Sequence, residues 1–162
     1  MENKPSIICI DDQREILATL EKDLEPFSSH FALLFCESAQ EAKEELDSLY
    51  ARGVPAPVVI CDHIMPNQNG IDFFIGLSRD IRFKNIYKIL LTGLATHKDT
   101  IEAINRAQIN YYIEKPWDGP TLCAVLKKML TLFMVRENWD YHAYSGIIDS
   151  ETLYQAISEK ER

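Results

Sequence analysis

Five side chains that suit phosphoryl chemistry stand at the ends of short apolar segments. Asp11 and Asp12 follow the run IICI, Asp62 follows VVIC, Thr92 follows ILL, and Lys115 comes soon after YYI. Three neighbouring carboxylates repel one another unless a cation neutralises their charge. A hard divalent ion that keeps several waters prefers oxygen ligands, so these carboxylates predict a Mg²⁺ site.

A bound Mg²⁺ would leave one carboxylate free to attack phosphorus and form an aspartyl phosphate. Lys115 would neutralise the phosphoryl group, while the Thr92 hydroxyl and the Gly93 amide would donate hydrogen bonds to it. Each Asp also has a purely structural interpretation, because an Asp after a strand often caps the next helix. The joint position of all five side chains favours the chemical interpretation. The sequence contains no GxxxxGK[ST] or GxGxxG motif, so nothing indicates nucleotide binding.

The elements that position these side chains alternate between apolar strands and stretches of helical periodicity. Strands that are apolar throughout are typical of a parallel sheet covered by helices on both faces. Right-handed crossovers restrict such a chain to a doubly wound fold, whose ligand sites lie beyond the carboxyl ends of the strands. The predicted strands are 6–10, 31–36, 57–61, 86–91 and 109–113, and the predicted helices are 13–25, 38–53, 71–79, 97–107 and 120–136.

Length and composition exclude several classes of protein. With 162 residues, 46% of them hydrophobic, the chain is predicted to form one globular domain with a tail. Its formal net charge of −8 argues against a nucleic-acid or membrane surface. The N-terminus has no signal-peptide pattern, and no run of apolar residues is long enough to span a membrane. The four cysteines form no CxxC motif and are interpreted as reduced thiols of a cytoplasmic protein.

Four motifs together point to a known family. They are the acidic pair Asp11-Asp12, DHIMPNQNG from Asp62 to Gly70, LLTG ending at Gly93, and YIEKPW from Tyr112 to Trp117. In this order and spacing, the chain resembles the receiver domain of two-component response regulators over roughly residues 5–135. The resemblance implies an α/β, flavodoxin-like, doubly wound, five-stranded parallel sheet of order 2-1-3-4-5 with five helices. A C-terminal helical extension would follow.

The resemblance also implies a role for each carboxylate. Asp62 would be the phosphoacceptor. Asp12, Asp62 and the backbone carbonyl of Ile64 would ligate Mg²⁺ directly, and Asp11 would hold one of the waters on the metal. The only cofactor expected is therefore Mg²⁺.

Further roles fall on the later strands. Thr92 would follow the phosphoryl group, and Tyr112 would be an aromatic switch that turns inward when Thr92 moves. Lys115 would pair with the phosphoryl group, presented by a cis Lys115–Pro116 bond. His63 is interpreted as an exposed loop histidine rather than a catalytic one. The position of Gly70 at the end of its loop is interpreted as a need for a positive φ angle.

The implied function is phosphorelay signalling in a bacterial cytoplasm. A sensor histidine kinase or phosphotransfer protein would donate the phosphoryl group, and a protein-interaction face would then change shape. The chain would promote its own phosphorylation without acting as an enzyme on a separate substrate. The sequence does not identify the downstream partner, and it leaves a homodimer as one alternative. Neither nucleic acid nor a membrane is expected as a partner. The alternatives are a non-phosphorylated interaction module on the same fold and a phosphatase with an Asp nucleophile.

The tail begins where the receiver pattern ends. We predict a receiver domain over residues 1–136 and a C-terminal extension over 137–162. The extension is rich in aromatic residues, and its last part, from Ser150, has helical periodicity. It is either the start of a linker to an output domain, a helix docked on the receiver, or a dimerising segment. The aromatic residues favour docking or dimer contact over a loose linker.

Overall fold

The computed structural model describes residues 3–95 and 97–161 and contains a single parallel sheet. The strand order is β2-β1-β3-β4-β5, and all four pairings are parallel. This confirms the predicted flavodoxin-like α/β class and its order of strands. The strands are β1 (Ser6–Ile10), β2 (Ala32–Cys36), β3 (Val58–Asp62), β4 (Tyr87–Thr92) and β5 (Tyr111–Glu114).

Six α-helices accompany the sheet in the described ranges, five of them between or after the strands as predicted. Side-chain caps fix several of their first turns. Ser38 accepts a hydrogen bond from the Glu41 amide at 3.1 Å, and Asn69 accepts one from the Asp72 amide at 2.9 Å. The helices are α1 (Arg14–Asp23), α2 (Ala39–Ala51), α3 (Gly70–Arg79), α4 (Lys98–Arg106), α5 (Gly119–Arg136) and α6 (Ser150–Lys160). None of these helices is both long and apolar enough to cross a bilayer.

The core lies on both faces of the sheet because successive strand residues point to opposite sides. Ile8 and Ile10 pack with α2, α3 and α4, whereas Ile7 and Cys9 pack with α1 and α5. All four cysteines are free thiols. The two edge strands, β2 and β5, differ from the expected continuous burial. Only Cys36 is buried in β2 and only Ile113 in β5, because each of these strands has a neighbouring strand on one side only.

A buried lysine interrupts the apolar strand β4. Lys88 is 2% exposed, and its ammonium group donates a hydrogen bond to the Ile86 carbonyl at 3.2 Å. Among the described residues it forms no ion pair with a carboxylate. Burial lowers the pKa of Lys88 to about 8, and the nearby charge of Arg136 contributes. The native state therefore disfavours the charged form of this side chain.

We expect Lys88→Met to raise the free energy of unfolding by about 2 kcal/mol at neutral pH. Lowering the pKa from 10.5 to about 8 costs about 3 kcal/mol at about 1.4 kcal/mol per pKa unit. The lost hydrogen bond to the Ile86 carbonyl offsets about 1 kcal/mol of the gain. Because the folded pKa lies below the unfolded value, the cost of the charged lysine is complete below pH 8. It disappears as the pH rises towards the unfolded value. The gain from methionine should shrink accordingly. Urea unfolding near pH 7 and near pH 10 measures both quantities.

The matched control is Lys84→Met, since Lys84 is exposed. We expect this control to change stability by less than about 0.5 kcal/mol at either pH. If Lys88→Met lowered stability at neutral pH, the packing and hydrogen bond of Lys88 would outweigh the cost of burying its charge.

Beyond α5 the chain turns back onto the receiver through aromatic contacts. Trp139 packs edge-on against Phe133 of α5, with ring centroids 5.2 Å apart. Tyr144 lies against Phe31, just before β2, at 5.6 Å. Ile147 is 3% exposed and belongs to the same apolar cluster as α1 and α5. The segment that joins α5 to α6 therefore contributes to the core.

Polar contacts fasten α6 to α5. Thr131 of α5 accepts a hydrogen bond from the Asp149 amide at 3.0 Å. At the other end of α6, the Lys160 ammonium donates to the Val135 carbonyl at 2.6 Å and to the Asn138 side chain at 2.5 Å. These contacts favour docking among the three interpretations of the extension. The domain boundary after residue 136 stays a prediction.

We expect Ile147→Ala to lower the free energy of unfolding by about 2–4 kcal/mol, because it removes a buried branched side chain and leaves a cavity. Tyr154→Ala is the control, since Tyr154 lies in the same extension and is 77% exposed. It should cost less than about 0.5 kcal/mol. Chemical denaturation of both variants gives the comparison. Equal and negligible costs would mean that the extension does not unfold together with the receiver.

Candidate functional site

The three predicted carboxylates meet at the carboxyl edge of the sheet. Asp62 is the last residue of β3, and Asp11 and Asp12 directly follow β1, which pairs with β3. Each of the three residues contributes one carboxylate oxygen to a group in which all three oxygens lie within 4.8 Å of one another. Asp11 is fully buried and Asp62 is 6% exposed, whereas Asp12 faces solvent. The cluster therefore has one open side.

The predicted lysine completes this cluster. The Lys115 ammonium lies 2.7 Å from Oδ1 of Asp62 and 3.3 Å from Oδ2 of Asp11. Its backbone amide donates to the Thr92 carbonyl at 2.9 Å, which continues the contact between β4 and β5. The bond between Lys115 and Pro116 is cis, as the sequence resemblance implied.

The charges of the cluster are unbalanced. Burial raises the pKa of Asp62; the hydrogen bond from Lys115 opposes this, and the charges of Asp11 and Asp12 reinforce it. Burial lowers the pKa of Lys115, but its hydrogen bond to Asp62 and the nearby carboxylates outweigh burial and raise it overall. One ammonium group therefore faces three carboxylates. A divalent cation is the counter-charge that this excess of negative charge favours.

The donor set suits Mg²⁺. The carboxylates supply oxygen ligands only, and the exposed side at Asp12 leaves space for the waters that Mg²⁺ retains. Ile64 lies in the loop after β3 with its side chain 62% exposed. From the described residues, its backbone carbonyl receives no hydrogen bond, so this oxygen is available as a further ligand.

The loop after β3 folds back tightly onto the strand. The Gly70 amide donates to the His63 carbonyl at 2.8 Å, and a Cβ atom on Gly70 would lie 2.2 Å from the Asp62 carbonyl oxygen. The expected positive φ at Gly70 is wrong, because the positive φ in this loop falls on Asn67, at 69°. Close approach to the backbone of Asp62 is the reason for glycine.

His63 is buried, at 7% exposure, so its assignment as an exposed loop residue is wrong. The pairing of β3 with β4 continues past Asp62, since the His63 amide donates to the Leu91 carbonyl at 2.9 Å. The register pairs Asp62 with Leu91, which brings His63 beside Thr92. Burial lowers the pKa of the His63 imidazole.

Thr92 is fully buried at the end of β4 and faces His63. Its hydroxyl oxygen lies 2.8 Å from Nδ1 of His63, and it accepts a hydrogen bond from the Leu94 amide at 2.9 Å. The described residues give it no hydrogen bond to Asp62. Tyr112 of β5 is 41% exposed, so in this conformation the predicted switch residue lies at the surface.

Sequence reasoning missed a contact that supports the segment carrying Lys115. The Trp117 indole donates to Oδ2 of Asp23, at the end of α1, at 2.9 Å. A Cβ atom on Gly119 would lie 3.2 Å from the same carboxylate. Trp117 therefore holds the chain beside Lys115 to α1.

A family model described as "Response regulator receiver domain" matches residues 7–127, most of the chain. The chain belongs to this family. The receiver domain is 29% identical to the chemotaxis protein CheY1 of Helicobacter pylori over 124 residues, which are 76% of this chain and 95% of CheY1. It is also 29% identical to the hydrogenase transcriptional regulatory protein HoxA of Cupriavidus necator over 116 residues, 72% of this chain.

The chain spans only part of several relatives. It covers 22% of that HoxA protein and, at 26% identity over 152 residues, 61% of the response regulator Rre1 of Synechocystis. The receiver domain of an HD domain-containing protein from Pseudomonas fluorescens is 28% identical, with a TM-score of 0.68, over 80% of this chain and 97% of that one. At 18% identity, CheY4 of Vibrio cholerae shares the fold, with a TM-score of 0.65 over 78% of this chain and 98% of its own.

Proposed function

We propose that this receiver domain accepts a phosphoryl group on Asp62 in a Mg²⁺-dependent reaction. The donor would be a phosphorylated histidine of a sensor kinase or of a phosphotransfer protein. The observation that supports the proposal is the cluster at the carboxyl edge of the sheet. There the Asp62 carboxylate lies with Asp11 and Asp12 and accepts a 2.7 Å hydrogen bond from Lys115.

In the proposed reaction, a carboxylate oxygen of Asp62 attacks phosphorus as the bond from phosphorus to the donor nitrogen breaks. The donor imidazole leaves with that electron pair and takes up a proton. Mg²⁺ held by Asp12, Asp62 and the Ile64 carbonyl, with Asp11 holding a water, would neutralise phosphoryl oxygens. Lys115, already beside Asp62, would move its ammonium group to the phosphoryl group that forms there.

The proposed output is a change of surface. The Thr92 hydroxyl would turn towards the phosphoryl group, and Tyr112 would leave its exposed position. The relatives suggest that partners differ widely, since they include proteins named as transcriptional regulators and the sensor histidine kinase CheAY of H. pylori. We propose a cytoplasmic bacterial protein that turns over no separate substrate. Its downstream partner would be the surface of another protein or an output domain. The receiver itself would act either as a homodimer or as a monomer.

Intact-mass measurement of the native chain after incubation with acetyl phosphate tests the proposal. We expect one phosphoryl adduct with Mg²⁺, none with a chelator, and loss of the adduct in hydroxylamine, which cleaves acyl phosphates. Absence of the adduct while Mg²⁺ still binds would contradict the proposal and favour the non-phosphorylated interaction module. Repeated turnover of a phosphate ester would favour the phosphatase.

A further inference from the structure

We propose that His63 is a positioning residue that holds the Thr92 hydroxyl in the orientation of the unphosphorylated state. The proposal deepens the proposed function, because it assigns this chain a residue that opposes activation until Asp62 is phosphorylated. It stands on the hydrogen bond of 2.8 Å between Nδ1 of His63 and the Thr92 hydroxyl.

The backbone leaves these two side chains little freedom to separate. The ladder between β3 and β4 continues through the His63 amide, which places His63 and Thr92 next to each other on the same face of the sheet. Both are buried, at 7% and 0% exposure, so water does not readily replace either partner. The Gly70 amide also donates to the His63 carbonyl and fixes the backbone there from the loop side.

The hydrogen-bonding capacity of Thr92 then decides the competition. A hydroxyl has one hydrogen to donate and accepts at two positions. The Leu94 amide takes one accepting position, and His63 takes the donated hydrogen or the second accepting position, depending on its tautomer. A phosphoryl oxygen on Asp62 would need the hydroxyl hydrogen. In the first case His63 already occupies that hydrogen. In the second case the Thr92 hydroxyl must still turn away from His63, because in its present orientation it makes no hydrogen bond to Asp62.

Leaving has a cost that a purely apolar neighbour would not impose. A buried imidazole nitrogen that loses its partner is destabilised, and such a loss costs more than the net contribution of the bond. Two orientations of the Thr92 hydroxyl then differ in free energy: an outward one that faces His63 and an inward one that faces Asp62. His63 favours the outward orientation. A ligand that binds only the inward orientation has its apparent affinity reduced, because only a fraction of the molecules are inward-facing before it binds.

Three variants of the full chain separate the hydrogen bond from packing. His63→Phe fills the space without a polar atom. His63→Asn places an amide where Nδ1 stands and can restore the bond, whereas His63→Gln extends its amide further, towards the position of Nε2. Thermal unfolding of each variant shows whether it folds. If the Phe variant does not, the Asn and Gln variants carry the comparison.

The first measurement needs no phosphodonor. The χ1 rotamer population of Thr92, from three-bond couplings of its labelled methyl group, should shift inward in the Phe and Gln variants. It should stay native-like in the Asn variant.

The second measurement is the affinity for beryllofluoride with Mg²⁺, as a mimic of the phosphoryl group. We expect binding about three- to tenfold tighter for Phe and Gln and unchanged for Asn, which corresponds to one hydrogen bond.

Three results would overturn the proposal: an unchanged Thr92 rotamer in both the Phe and Gln variants, weaker beryllofluoride binding in them, or an Asn variant that behaves like Phe. Failure of the proposed function looks different. In that case the native chain forms no aspartyl phosphate and binds no beryllofluoride, and the rotamer measurement alone still decides the role of His63.

Discussion

Replacing Asp62 with Asn is expected to abolish the phosphoryl adduct that the native chain forms with acetyl phosphate and Mg²⁺. The amide has nearly the shape of the carboxylate and can still accept the hydrogen bond from Lys115. It lacks the negative charge and the nucleophilic oxygen, and it is a poorer ligand for a hard cation. Intact-mass spectrometry of both proteins, followed by peptide mapping of the native adduct, measures the change.

The control for this prediction is Asp99→Asn, which removes an equal charge from an exposed position on α4. It should leave the adduct yield at the native level. An adduct of native yield on Asp62→Asn would mean that another carboxylate is the acceptor. Peptide mapping of that adduct would then test Asp11 and Asp12, the only other acidic side chains of the cluster among the described residues.

Replacing Lys115 with Met should lower the free energy of unfolding by about 3–5 kcal/mol when a chelator is present, since it leaves buried charges without their partner. Asp11 and Asp62 would then face each other with no cation between them. Mg²⁺ should restore part of the loss because it binds only where the carboxylates are assembled. Urea unfolding with chelator and with Mg²⁺ gives both values.

Lys128→Met is the matched control, since Lys128 is exposed on α5. We expect it to change stability by less than about 0.5 kcal/mol in either condition. A Lys115→Met protein as stable as the native chain without Mg²⁺ would contradict the electrostatic account. So would a deficit of several kcal/mol that Mg²⁺ does not reduce.

Much of the fold could be predicted because each strand is a short, mostly apolar run with a polar residue at or just after its end. The parallel arrangement follows from strands without alternation, and the order of the strands came from the family resemblance. The edge strand β5 shows where this reasoning is weak. Tyr111 and Tyr112 have high strand propensity whether they are buried or exposed. The pattern of residue types therefore does not show that β5 is an edge strand.

The candidate site was predictable in its residues and less so in its contacts. The carboxylates and Lys115 converge because parallel strands end at one edge of the sheet. This convergence follows from the direction of the strands alone. The sequence places His63 in a loop because it comes after Asp62, where the apolar run of the predicted strand has ended. Its burial depends on the register between β3 and β4, which a single sequence does not fix. The tight approach at Gly70 likewise depends on how the loop returns to Asp62.

The partners of Lys115 have a consequence for the order in which the molecule assembles. Its two ion pairs join residues that are 104 and 53 positions apart in the chain. A ribosome therefore produces the carboxylates long before the lysine. While only β1 and β3 are available, their pairing brings like charges together with no ammonium group to offset them. Contacts of such long sequence separation slow folding, because the entropy of closing the chain between the two residues opposes their formation. Docking of β5 thus removes an electrostatic penalty, which couples completion of the sheet to completion of the site in one cooperative step.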